Sequence, residues 1–246
     1  MKAELIAHRG YAKYFPENTL VAFAAALDSG AVYIETDIQL SKDGIPVLFH
    51  DNDMVRVCGI KGAIHNYTWD QLQQFPAGYA DRFGDQFSKV RITPLSDLVN
   101  LLIKRPDVTA FIELKRNTMQ HHGRGVVLDT VIKQLKPVMS QCVIISFSLE
   151  AILAARRRHW PRVGVVFDRW KERKQKIVSE IKPEFMFCDV MGLPWWGTLY
   201  TGRINLAIYD IESPRHARKL AKRGVDFIET FDIGEMLQEL KTKNNT

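Results

Sequence analysis

The chain is 246 residues long, 46% hydrophobic and 25% charged, with 34 Lys and Arg against 28 Asp and Glu for a net charge of +6. That composition excludes a disordered chain, and the length is that of a single α/β barrel, about 250 residues. No apolar run approaches the roughly 18 residues of a membrane span, and Cys58, Cys142 and Cys188 make neither a C-x-x-C pair nor an even disulfide set.

The basic balance admits nucleic acid, membranes or anionic small molecules as partners without choosing among them. The start, MKAELIAHRG, returns to charge at Arg9 and has no signal-peptide core. The expected setting is therefore soluble and cytoplasmic.

In chain order, ELIAH (4–8) opens a series of short, β-branched apolar runs. A helix-length stretch at 18–28 follows, with Asn18 after Pro16 at its start and Gly30 after its end, and then VYIETDIQL (32–40). PVLFHD (46–51) reads as an extra strand. Residues from about 51 to 92, rich in aromatics from Tyr67 to Phe87, are too many for an ordinary βα loop and are expected to form an inserted cap segment. Beyond it, amphipathic stretches at 95–104, 125–136, 148–158, 171–181, 214–223 and 233–242 accompany the strands VTAFIELK (108–115), CVIISF (142–147), RVGVVFD (162–168), FMFCDV (185–190), INLAIYD (204–210) and VDFIET (225–230). Eight nearly continuous apolar strands with helices between most of them predict a parallel sheet buried on both faces. They fit one (β/α)8 TIM-barrel domain over 1–246, with a small insertion after the second strand. The missing G-x-G-x-x-G after the first strand weakens an open dinucleotide-binding sheet.

The polar residues inside these strands carry the chemistry. Glu35 and Asp37 sit at i and i+2, so both point to one face, and Glu113 and Lys115 repeat that spacing. His8 ends the first strand, followed by Arg9, and His50 ends PVLFH. Carboxylates among Val, Ile, Leu and Phe are costly unless paired or coordinating a cation. Glu35, Asp37 and Glu113 are expected to converge at the barrel rim, where an all-carboxylate set favours Mg2+ or Ca2+ over Zn2+. Arg9 offers a planar fork for phosphate, Lys115 a partner for the cluster or for substrate oxygen, and the two histidines an acid and a base near neutral pH. The combination fits phosphoryl chemistry; a barrel salt bridge and structural histidines are the bland alternative.

An ordered string of motifs then resembles the glycerophosphodiester phosphodiesterase family of the bacterial cytoplasmic type: HRG at 8–10, PENT at 16–19, Glu35-Thr36-Asp37, DGIPVLFHD at 43–51 and IELK at 112–115, with weaker marks at 93–98, 145–147 and 223–230. The resemblance implies a TIM barrel that hydrolyses glycerophosphodiesters to sn-glycerol 3-phosphate and an alcohol. It implies His8 and His50 as the acid/base pair, Arg9 and Lys115 at the substrate, and Glu35, Asp37 and Glu113 around one divalent cation. The second half departs from the family pattern. Leu206 to Asp210 stands where a Trp-Thr-x-Asn-like stretch is usual, and Glu229 to Ile233 replaces a closing Thr-Asp-x-Pro. Trp195 and Trp196 are expected as hydrophobic plugs at the rim rather than a box for a choline-like cation. Asp189 is a weaker candidate for the pocket, and His65, His121, His122, His159 and His216 are expected in solvent.

Two rivals remain. A phospholipase D-like lyase forming cyclic phosphates shares the two histidines, but such relatives are typically secreted and disulfide-bearing. A nucleic-acid-binding protein fits the net charge, yet Arg156 to Arg158, Lys171 to Lys176 and Arg215 to Arg223 lie on outer helices without an aromatic-basic platform. The expected partner is a small phosphodiester, with no nucleic acid and no membrane span, acting on a monomer or homodimer.

Overall fold

The computed structural model describes residues 3–242. The strands are β1 (Glu4–Ala7), β2 (Tyr33–Leu40), β3 (Pro46–Leu48), β4 (Thr109–Leu114), β5 (Cys142–Ser146), β6 (Val163–Phe167), β7 (Phe185–Asp189), β8 (Asn205–Tyr209) and β9 (Phe227–Thr230). The helices are α1 (Leu20–Asp28), α2 (Val55–Cys58), α3 (Trp69–Leu72), α4 (Ala80–Phe83), α5 (Leu95–Lys104), α6 (Arg116–His122), α7 (Arg124–Leu135), α8 (Leu149–Arg157), α9 (Lys176–Ile181), α10 (Pro214–Lys222) and α11 (Ile233–Thr242). Eight parallel strands run in the order β1-β9-β8-β7-β6-β5-β4-β2, and the β1–β2 pairing closes them into a barrel. The extra strand β3 lies antiparallel on β2. This is the expected TIM barrel.

The interior of the barrel shows why the site sits where it does. Ile6, Phe111, Phe185, Phe187, Ala207 and Phe227 form a buried plug with Tyr33 beside it, and the Phe111 ring meets those of Phe185 and Phe187 at 5.0 and 5.2 Å. Side chains alternate along a strand. The residues two positions further on, His8, Glu35, Glu113, Tyr209 and Glu229, therefore occupy the next level up, at the C-terminal mouth. A second, larger core joins the outer strand faces to the helices.

Several elements differ from expectation. The cap of α1 is Thr19, whose side chain accepts from Ala22 N, and Asn18 is turned into the site instead. α6 follows β4 directly, unsignalled because RNTMQHH has no apolar period. The stretch at 171–181 splits into a 3-10 turn (Trp170–Lys174) and α9, separated by extended backbone at Gln175. Like charges three apart, Lys171 with Lys174 and Arg173 with Lys176, disfavour one continuous helix. Between β7 and β8, where the sequence marks no helix-length stretch, there is a short 3-10 turn at Val190–Gly192. Trp195 and Trp196 lie in this helix-free connection and are 94% and 81% exposed, so they are not plugs. Arg223 at the end of α10 holds their loop by donating to the carbonyls of Pro194 and Gly197.

Residues 51–92 contain α2, α3 and α4 around a small core of their own, including Met54, Val57, Ile64 and Leu72. The Phe15–Phe87 ring contact at 5.8 Å and the bond from Arg82 to the Lys13 carbonyl tie this segment to the β1–α1 loop. Outer arginines are paired: Arg156 with Glu184, Arg157 with Glu180 and Arg158 with Asp129. All three cysteines are buried free thiols. Among the described residues, no helix is long and apolar enough to cross a membrane.

Gly10 is the tightest backbone position near the mouth. Its φ is +85°, and a Cβ there would lie 2.7 Å from the Ala22 carbonyl carbon in α1. Gly10→Ala is expected to destabilise the fold by about 1–3 kcal/mol, read as a lower denaturation midpoint at unchanged m-value; a wild-type midpoint would show that the β1–α1 turn yields freely.

Candidate active site

β1 places His8 and Arg9. The His8 amide donates to the Thr230 carbonyl at 3.0 Å, pinning the strand end to β9, and the imidazole stacks on Phe231 with centroids 4.4 Å apart. Its Nδ1 lies 2.7 Å from Asp210 Oδ1, and Nε2 lies 3.6 Å from Glu35 Oε2. Burial and the neighbouring Arg9 charge push the His8 pKa down, against the pull of Asp210, so the ring is neutral near physiological pH. Arg9 follows with φ +56°, a conformation uncommon outside glycine. Its Nη1 donates to Glu17 at 3.0 Å and its Nε lies 3.3 Å from Asp37.

The carboxylates come from β2 and β4, whose register pairs Asp37 with Glu113. Oxygens of Glu35, Asp37 and Glu113 lie within 4.8 Å of one another. Lys115 Nζ bridges Asp37 at 3.1 Å and Glu113 at 3.0 Å. Burial alone would raise the Asp37 pKa, but the Lys115 ammonium and the Arg9 guanidinium hold it well below the usual carboxylate range. Glu35 is displaced upward by burial and then by Asp37, Glu229 and Glu113, and Glu113 upward by burial above all. Oxygen-only donors, with Glu35 Oε1 buried and lacking a hydrogen-bond partner, fit a hard divalent cation.

A second layer supports the first. Asn18 donates to Asp37 Oδ2 at 3.0 Å, while its own carbonyl oxygen accepts from the Thr36 hydroxyl at 2.7 Å. Arg56, from the inserted segment, donates to both oxygens of Glu17 at 2.7 Å and to Asp51 at 2.6 and 3.0 Å. Asp51 in turn takes His50 Nδ1 at 2.8 Å. Burial would raise Glu17 and Asp51, yet bonds from Arg56 to Glu17 and from His50 and Arg56 to Asp51 keep both low. One chain of charges thus runs from His50 to Arg9.

The structure brings all seven expected residues together. His8, Arg9, Glu35, His50, Glu113 and Lys115 line a cavity of about 270 Å3 with Phe147, Phe187 and Tyr209 on its apolar side, and Asp37 lies buried against them. An adjoining cleft of about 870 Å3 shares His50, Glu113, Lys115 and Phe147 and is walled by Asn52, Val55 and Arg56. Sequence reasoning underrated Glu17, Asn18 and Asp51 and passed over Arg56, whose only signal is a lone Arg between Val55 and Val57. Tyr209 faces the cavity, with its hydroxyl donating to the Phe167 carbonyl at 2.9 Å. Asp189 instead accepts from the Met191 amide. His65 and His121 stack on one another at 4.0 Å outside the lining of the cavity, and His65 and His122 are half-buried rather than solvated.

A closed barrel with imidazoles, a guanidinium and a carboxylate triad at its C-terminal mouth defines a TIM-barrel phosphodiesterase. The chain belongs to the glycerophosphoryl diester phosphodiesterase family, whose profile matches residues 8–193. It is 35% identical over 239 residues to a glycerophosphodiester phosphodiesterase of Caldanaerobacter subterraneus subsp. tengcongensis, covering 94% of this chain and 95% of that protein. A 120-residue stretch is 36% identical to a glycerophosphodiester phosphodiesterase of Bacillus altitudinis, 49% of this chain and 48% of that protein. The fold is that of an Oleispira antarctica phosphodiesterase solved with the product sn-glycerol-3-phosphate, with a TM-score of 0.81, 21% identity and coverage of 97% and 96% of the two chains.

Glu229 supplies a test of the electrostatics. Burial and the nearby Asp210 and Glu113 raise its pKa. The folded chain therefore keeps a proton that the unfolded chain releases above about pH 4.3, and this carboxyl weakens the fold as pH rises past that point. In EDTA, the melting temperature of Glu229→Gln minus that of wild type is expected to grow between about pH 4 and about pH 7. A difference that stays flat would show that Glu229 ionises normally.

Proposed function

We propose that the protein hydrolyses glycerophosphodiesters to sn-glycerol 3-phosphate and an alcohol, with one divalent cation, Mg2+ or Ca2+, at Glu35, Asp37 and Glu113. The observation that carries this reading is the pair of imidazoles on one cavity, each with Nδ1 against a carboxylate, His8 on Asp210 and His50 on Asp51. A carboxylate beside each Nδ1 leaves Nε2 of each ring as the atom assigned to move a proton.

The cation, when bound, neutralises nonbridging oxygens of the phosphodiester. Arg9, fixed between Glu17 and Asp37, meets the same oxygens with its planar fork. Lys115 tempers the negative charge of Asp37 and Glu113 and lies at the edge of the substrate. His8, neutral through burial and Arg9, accepts the proton of the nucleophile. His50 then donates to the departing alkoxide. The nucleophile is water or the neighbouring hydroxyl of the glycerol moiety, the latter passing through a cyclic phosphate that is opened in the same site. The segment at 51–92 forms a lid-side wall that selects the alcohol, since Asn52, Val55 and Arg56 line the outer cleft. The wider setting we infer is cytoplasmic, with a monomer or homodimer and no nucleic-acid partner; the ion pairing of the outer arginines supports the last point.

His8→Ala and His50→Ala are each expected to lower kcat by about 10^2- to 10^4-fold with an unchanged circular dichroism spectrum. EDTA should remove activity, and Mg2+ or Ca2+ should restore it. Phosphorus NMR should show glycerol 3-phosphate as the end product, where a lyase would stop at the cyclic phosphate. Near-normal turnover in either variant overturns the acid–base pair, and full activity in EDTA overturns the cation.

A further inference from the structure

Glu229 is the one carboxyl of the cavity without a part in the reaction above. It faces the barrel interior from β9, in register with Ile6 of β1, and is 3% exposed. Its Oε1 has no hydrogen-bond partner, and neither has Glu35 Oε1, from a side chain equally buried. Both glutamates line the 270 Å3 cavity. One ring nitrogen of His8 and one oxygen each of Glu35 and Glu229 lie within 4.8 Å of one another. Two unpartnered buried oxygens beside an imidazole are costly as they stand, and a cation is the group that satisfies all three.

The surroundings agree. Asp210 Oδ1 sits 2.7 Å from His8 Nδ1, and His8 Nε2 faces Glu35 Oε2 at 3.6 Å. A carboxylate behind a histidine is the usual support of a metal-ligating imidazole. Five carboxylates, Glu35, Asp37, Glu113, Asp210 and Glu229, meet two permanent cations, Arg9 and Lys115. One divalent ion at the triad therefore leaves carboxyl oxygens of this group unmatched by any cation. The donor set also differs from the oxygen-only triad, because one nitrogen with two carboxylates suits Zn2+ better than Mg2+ or Ca2+.

We propose that His8, Glu35 and Glu229 form a second cation subsite, sharing Glu35 with the carboxylate triad, that takes Zn2+ and stops turnover when filled. Inhibition follows because coordination occupies the His8 lone pair that would accept the nucleophile's proton. The binding rests on geometry alone, whereas the inhibition rests on the acid–base role given to His8.

Equilibrium dialysis of metal-stripped protein against Zn2+ in excess Mg2+ reads the subsite without any turnover. Wild type should retain one Zn2+ per chain, Glu229→Gln should bind it about tenfold or more weakly, and Glu113→Gln should lose Mg2+ yet keep Zn2+. In the phosphodiesterase assay with Mg2+, the Zn2+ concentration giving half inhibition should rise in Glu229→Gln by the same factor as its Zn2+ dissociation constant. Equal Zn2+ binding by wild type and a Glu229→Gln variant of native melting profile overturns the subsite. Zn2+ held through Glu229 without inhibition upholds the subsite and overturns the role of His8.

Discussion

A carboxylate buried at the top of an apolar barrel has to be matched by positive charge, and the match around Asp37 organises this molecule. Removing one ion from water costs several kcal/mol even after relaxation. Asp37 is met by Lys115, Arg9 and Asn18, each from a different stretch of chain. Lys115 ties β4 to β2, Arg9 ties the end of β1, and Asn18 orients the start of α1. The turn at Arg9 and Gly10, both at positive φ, is the backbone cost of bringing that guanidinium back over the rim. Each has a second partner at the rim, Glu113 for Lys115, Glu17 for Arg9 and Thr36 for Asn18, and Asp37 is the one they share.

The same need for matching separates two kinds of acidic group. Asp37, Glu17 and Asp51 are held low by cations and act as fixed negative charge, which steadies Arg9, Arg56 and His50. Glu35, Glu113 and Glu229 are raised by burial and by the repulsion of neighbouring carboxylates. The strain at the rim is electrostatic rather than steric. The aromatic plug beneath it, centred on Phe111, prevents relief by water from below.

Much of this was legible in the chain. Eight β-branched runs gave the barrel because strands buried on both faces need continuous apolar sequence. Glu35 with Asp37, and Glu113 with Lys115, stood out because a period of two puts charges on one face of otherwise apolar strands. Asn18 was misread as a helix start because Asn suits both a cap and a hydrogen-bonding bracket, and local sequence does not separate them. Arg56 and Glu17 were weak signals because their meaning is a contact across 39 positions. Trp195 and Trp196 were misread as plugs because an apolar pair in a loop looks the same in sequence whether it packs on the rim or stands in solvent.

The sequence by itself determined the barrel, the residues at its mouth and the family, since those follow from periodicity and from an ordered run of motifs. Only the tertiary structure decided which charges meet. Strand closure brought Glu229 of β9 beside Glu35 of β2 and set Asp210 behind His8. Coulomb energies depend on distances and burial that arise between elements far apart in the chain. Chemistry at the residue level was written locally, and its electrostatics came from closure.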